Sequence, residues 1–190
     1  MNAPATPTAG DIFTGSRYVN VIAPDPASFH LPDIFTALSR IVRFGGHGLV
    51  PFTVGQHVLT ALRIAVFRGA EPAVLRAVLM HDAAEAYLGD IPSPIKALLP
   101  DYRALEARME AAIFARFDVG LPLYGARVKD FDLAALSVEK AALHPAAGPW
   151  ACDVDVSDLP GDILAIHDPA RAQMVARKLY AWADDLGIAA

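Results

Sequence analysis

An all-α fold, a helical bundle of about six helices, is what this sequence predicts. Three observations carry the prediction. Apolar residues recur at helical spacing in several long stretches. Those stretches begin and end at capping residues, prolines and glycines, where helices start and stop. No two segments show the alternation of a convincing strand pair. The 190 residues suffice for one domain with a real core, and 54% apolar against 19% charged residues is the composition of a compact globular chain.

Residues 1–10, rich in Ala, Pro and Thr, are expected to form a flexible tail, leaving 11–190 as a single domain. "IAPDPASFHL" is an irregular lead-in with Pro24, Pro26 and then Pro32. Asp33 is placed to cap a helix through Phe44, with Ile34, Leu38, Ile41 and Val42 inward. "GGHGLVP" is a glycine loop. Thr53 and Gln56 form a T-x-x-Q capping-box signature for the next helix, whose stripe is Val54, Val58, Leu62, Ala65 and Val66. "GAEP" ends that helix and starts another, with Pro72 in its first turn. Leu75, Val78 and Leu79 recur at helical spacing, and Ala83, Ala84 and Ala86 keep the following turns thin.

"GDIPSPIKALLP" is a proline-broken connection. "DYRALEARMEAAIFARF" is amphipathic, with Leu105, Met109, Ile113 and Phe117 on one face, and "LYGARVKDFDLAALSVEKAAL" is a further long helix. Segment 145–168 holds no period; it is expected to be a loop or lid with room for a short strand at "ILAI". The last helix spans 169–187. Asp168 caps it, Pro169 is its first residue, Val175, Leu179, Trp182 and Leu186 form its stripe, and Gly187 ends it.

Charge and composition narrow the function. Net charge is −5 and no Lys/Arg cluster occurs, which argues against a nucleic-acid polymer as partner; small anionic substrates remain open. The single cysteine, Cys152, cannot form an intrachain disulfide and fits a reducing compartment. The N-terminus shows neither the basic nor the apolar region of a signal peptide. Phe44 to Leu62 carries no Lys, Arg, Asp or Glu, but four glycines, Pro51, Gln56, His47 and His57 make a spanning helix a poor reading. A soluble, cytoplasmic protein without membrane contact is expected.

The chemistry concentrates in a few polar residues set among apolar ones. His81, Asp82 and Glu85 interrupt a core helix, and a buried carboxylate must be paired, hydrogen-bonded or bound to metal. His57 lies near the apolar stripe of its helix, and Asp132 sits in "VKDFDLAALSVEKAAL". His, then His-Asp, then Asp thus fall on three separate helices, and three helices of a bundle can aim such ligands at one point. Imidazole and carboxylate suit Mn2+, Co2+, Fe2+ or Zn2+.

The order H…HD…D resembles the HD-domain metal-dependent phosphohydrolases. "FTVGQHVLTAL", "VLMHDAAEAYLGDIPSPIK" and "VKDFDLAALSVEK" are similar to segments of small bacterial and phage members that act on deoxynucleotides, the 5′-deoxynucleotidases and the dATP triphosphohydrolases. The similarity covers roughly residues 33–143. It implies that His57, His81, Asp82 and Asp132 hold one divalent metal (Mn2+, Co2+, Zn2+, Fe2+ or Mg2+), leaving room for water and a phosphate oxygen. Dinuclear relatives use H-D-x-x-H; Glu85 stands at the last position, so a second protein-ligated metal is not expected.

The same resemblance makes Glu85 the catalytic carboxylate. It assigns Arg43 and Phe44 to phosphate and sugar, and Asp90 to the sugar 3′-hydroxyl. Lys96 and Lys129, cations close to the motif, would hold phosphate. His30, His47, His144 and His167 fall outside the metal set. The implied activity is phosphate release from deoxynucleoside monophosphates. The alternative is removal of the whole triphosphate from a dNTP, and lower still stands a non-catalytic nucleotide-binding regulator. The expected partners are a small nucleotide and further copies of the chain in a homo-oligomer.

Overall fold

The computed structural model describes residues 7–164 and 172–189, with the backbone alone at 121–123. It is all-α but for a small ribbon. β1 (Asp11–Phe13) pairs antiparallel with β2 (Tyr18–Asn20), Ile12 opposite Val19. The sequence offers no sign of this pair because three-residue strands are too short to display a period. Val19, fully buried, pins the ribbon to the core. Thr8 and Gly10 are joined to it: Thr8 N donates to Asp11 Oδ2 and Val21 N to Gly10 O.

α1 (Leu31–Leu38) is shorter than expected, and Asp33 is not its cap. His30 occupies the N-cap, while Asp33 Oδ2 accepts from Thr14 Oγ1 at 2.8 Å and Ser16 Oγ at 2.6 Å. The chain leaves the helix after Leu38 to lie antiparallel to 52–54, through Arg43 N to Phe52 O and Val54 N to Ile41 O. Val42 bridges Thr53 there and is exposed rather than inward. Phe44 then turns with φ +58°, followed by Gly45 at +59° and Gly46 at +81°. A left-handed phenylalanine costs about 1–2 kcal/mol, so surrounding contacts must hold it there.

α2 (Val54–Phe67) is the central helix. Its capping box forms, Thr53 Oγ1 accepting from Gln56 N and Gln56 Oε1 accepting from Thr53 N. Nearly every residue from Val54 to Ala65 is buried, since α1, α3 (Pro72–Met80), α7 (Leu121–Leu143) and α8 (Ala172–Asp185) all pack on it. Gly55 permits that crowding: a Cβ there would stand 2.7 Å from Val175 Cγ1 and 3.2 Å from the Leu38 carbonyl. Val66 lies past the covered part and is exposed, outside the expected stripe.

The helix through the His-Asp pair is not continuous. α3 stops at Met80 and α4 (Glu85–Leu88) follows after four residues of turn. In between, Ala83 N reaches Met80 O and Glu85 N reaches Asp82 O, bonds three residues back that tighten the coil. Gly89, at φ +80°, ends α4. Within the proline-broken connection stands a single turn, α5 (Ser93–Lys96). α6 (Pro100–Phe117) buries Met109, Ile113 and Phe117 and ends at Asp118 in the left-handed region.

Residues 145–164 are irregular and carry no strand, but they are tied down. Arg63 donates to the carbonyls of Asp162 and Leu164, Arg68 pairs with Asp158, Lys140 with Asp153, and Val154 N donates to Ser137 Oγ. Residues 165–166 of "ILAI", His167, the expected cap Asp168 and Pro169 lie outside the described residues. Of the terminal stripe, Val175 and Leu179 are buried and Trp182 and Leu186 half-buried; Gly187, at φ +67°, follows the helix end. Among the described residues six α-helices have eight or more residues and two are single turns.

Candidate metal centre

α2 carries His57, the turn that follows α3 carries His81 and Asp82, and α7 carries Asp132. His57, His81 and Asp132 each offer a ligand atom, and these atoms lie within 4.8 Å of one another, a group that could hold a metal ion. His57 Nε2 stands 3.3 Å from His81 Nε2 and 3.1 Å from Asp132 Oδ1. Asp82 Oδ2 closes the set at 3.5 Å from His57 Nε2 and 3.3 Å from His81 Nε2. Tightening of the turn after Met80 sets Asp82 beside His81 toward the same point.

The donor set suits a divalent cation. His57 Nδ1 lies 2.7 Å from Glu139 Oε1, and His81 Nδ1 lies 2.7 Å from the Val78 carbonyl. With both Nδ1–H groups donating outward, both Nε2 atoms present lone pairs inward, facing two carboxylates. Acceptors of that kind at about 3 Å repel one another unless positive charge joins them. Protons can supply it: burial and Arg43 work against a charged His57, yet Glu139 and Asp132 prevail and raise it to about 10. His81 is likewise raised, Asp82 overcoming burial. Asp82 and Asp132 stay well below the usual carboxylate range despite burial, held by His81 and His57 respectively. A divalent ion supplies the same charge from one point.

The other expected site residues fall in distinct places. Arg43 approaches Asp82 at 3.8 Å and Glu139 Oε2 at 3.2 Å. Lys129 does not stand free; its Nζ donates to Asp132 Oδ2 at 2.6 Å. Lys96 donates to Glu106 at 2.6 Å and reaches Glu85 at 3.9 Å. The Phe44 ring packs edge-on against His144 at 4.7 Å and lies 6.2 Å from Trp150. His144 therefore helps to hold Phe44 in its left-handed turn. Asp90 is half-buried; burial raises its carboxyl, with Arg43 opposing and Asp82 reinforcing.

Glu85 is buried at 6% exposure, and its Oε2 has no hydrogen-bond partner among the described residues. Burial, then the charges of Asp82 and Asp90, push its carboxyl up to about 9 against Arg43 and Lys96. Two carboxylates that sequence reasoning passed over flank the site. Glu106 anchors Lys96, and Glu139, with no exposure at all, anchors His57 and Arg43. Glu139 follows Asp132 by seven residues, two helical turns on the same face of α7, and that spacing is the signal that could have found it.

The fold and site together define an all-α protein with a His/His/Asp group able to hold a metal. The chain is similar to the uncharacterized protein YfdR of Escherichia coli, 39% identical over 111 residues that cover 58% of this chain and 59% of YfdR. It is also similar to the uncharacterized protein RCAP_rcc00048 of Rhodobacter capsulatus, 33% identical over 113 residues, 56% of each chain. The chain thus spans under three fifths of the length of these curated relatives, whose names assign no activity. No family model matches it.

Proposed function

We propose that the protein is an HD-type metal-dependent phosphohydrolase of deoxyribonucleotides, acting most simply by releasing the 5′ phosphate of a deoxynucleoside monophosphate. The observation that carries this reading is the meeting of His57, His81, Asp82 and Asp132 at one point, with buried Glu85 four residues beyond His81. When bound, a divalent metal offsets phosphoryl charge and lowers the pKa of water.

Each protein group has a part in that chemistry. His57, His81, Asp82 and Asp132 would hold the metal; Lys129 keeps the Asp132 carboxylate turned inward. Arg43 brings a guanidinium beside Asp82, where a phosphate oxygen can meet it. Hydrolysis breaks the bond between phosphorus and the 5′ oxygen and joins phosphorus to the oxygen of water. The departing oxygen needs a proton, and burial favours the protonated form of the Glu85 carboxyl, which can supply one. Glu85 donates that proton and regains one from the water. A surface groove of about 430 Å³ is lined by Ser137, Lys140, His144 and Asp153, and none of the proposed metal ligands lines it.

The test is a product assay for phosphate, pyrophosphate and triphosphate across nucleoside mono- and triphosphates with several divalent metals. Phosphate released from deoxynucleoside monophosphates is the expected result. Triphosphate from a dNTP would support the alternative activity on the same site. No product under any metal removes the enzymatic reading.

A further inference from the structure

Glu139 is the most deeply placed acid of the site: its side chain has zero exposure, and its two oxygens face two different partners. Oε1 takes the Nδ1–H of His57 at 2.7 Å. Oε2 faces Arg43 Nε at 3.2 Å, close enough for strong charge attraction though not aligned as a hydrogen bond. His57 is itself fully buried. Arg43 continues to Asp82 at 3.8 Å, which closes a ring from one proposed ligand, through Glu139 and Arg43, to another. A carboxylate so buried and so paired serves the groups it holds, because an unpaired charge at that depth would not persist.

We propose that Glu139 is a positioning residue for the metal centre, fixing His57 in the tautomer whose Nε2 is a lone pair and holding Arg43 beside Asp82. The first half stands on the geometry of His57 alone. The second half, that Arg43 is kept in place for an anion, rests on the phosphohydrolase reading. Charge on Glu139 strengthens the basicity of His57 Nε2, so metal affinity depends on it although it touches no metal. With Glu139 neutral, Arg43 loses its buried counter-charge and is drawn toward the ligand Asp82, where it competes with the metal.

The experiment compares wild type with Glu139→Gln, which keeps an acceptor for His57 but removes the charge. Calorimetric titration with Mn2+ measures affinity, and a second titration with inorganic phosphate on the Mn2+-saturated proteins measures the anion. Thermal unfolding confirms that the variant is folded. The expected result is a loss of Mn2+ affinity of about 10- to 100-fold, with weaker phosphate binding. Affinity within twofold of wild type overturns the proposal, whatever happens to stability.

If Glu139→Gln does not fold, wild type alone decides through nitrogen-detected histidine NMR of the Zn2+-loaded protein. A proton on His57 Nδ1 supports the proposal; a proton on Nε2 overturns it. Lost Mn2+ affinity in the variant, together with no nucleotide hydrolysed by wild type, supports the role of Glu139 while removing the phosphohydrolase reading.

Discussion

His57 and His81 face each other through their Nε2 atoms at 3.3 Å, and each turns its Nδ1 to a different acceptor, Glu139 in one case and the Val78 carbonyl in the other. Two imidazoles brought so close need either a shared proton or a shared cation between them and the neighbouring carboxylates.

The cation alternative leads to a prediction about metal binding. His81→Ala or Asp82→Ala is expected to abolish binding of a divalent metal and activity while leaving the protein helical, with some loss of stability from the charges left behind. Elemental analysis of purified protein and titration after chelation measure this. Wild type that takes up no divalent metal at any tested concentration would refute it.

Metal affinity should climb with pH. The acidic neighbours raise His57 to about 10 and shift His81 in the same direction, so near neutral pH a proton competes with the metal for each nitrogen. Raising the pH removes that competition. An increase of about tenfold per pH unit is expected for each proton displaced. Titrations with Mn2+ from pH 6 to 8 check it, and a flat affinity would show that neither histidine is a ligand.

Glu85→Gln should separate binding from turnover. Metal content is expected to survive, with kcat reduced by about 10²-fold or more if Glu85 is the general acid. Stability offers a second reading on chelated protein. A carboxyl of ordinary value 4.5 when unfolded and about 9 when folded binds its proton more tightly in the fold. Its contribution to stability is therefore fully present below 4.5 and lost as pH rises through about 9. The melting temperature of Glu85→Gln relative to wild type should accordingly increase across that window. Parallel pH profiles would show that Glu85 is not raised.

Sugar selectivity tests the assignments at Phe44 and Asp90. A preference for deoxyribose of roughly 10- to 100-fold in kcat/KM is expected, from the cost of leaving a buried hydroxyl unmet. Asp90→Ala and 3′-deoxy substrates should both lose efficiency, and Phe44→Ala should narrow the gap between dAMP and AMP. Equal efficiency of wild type toward both sugars would remove the deoxy-specific reading.

Gly55→Ala probes the packing that carries His57. The added methyl meets Val175 Cγ1 and the Leu38 carbonyl, so a loss of about 1–3 kcal/mol in denaturant unfolding is expected. Unchanged stability would show that α8 and α1 can give way around α2.

Local signals in the chain determined much of this protein. Thr53 and Gln56 announce the start of α2, Pro72 the start of α3 and Gly187 the end of α8, because capping and backbone geometry act within a few residues. The order His57, His81-Asp82, Asp132 marks the candidate site, since polar residues among apolar neighbours are legible one residue at a time. What only the tertiary structure decided involves partners far apart in sequence. The chain leaves α1 at Leu38 because 41–43 pairs with 52–54, and Phe44 accepts a left-handed turn where His144 and Trp150 meet its ring. Lys129 proves to be spoken for by Asp132. Glu139 acquires its role from His57, 82 residues earlier, and from Arg43. A helical period places a side chain on a face, but the charge or acceptor waiting opposite that face belongs to another element, and only packing brings the two together.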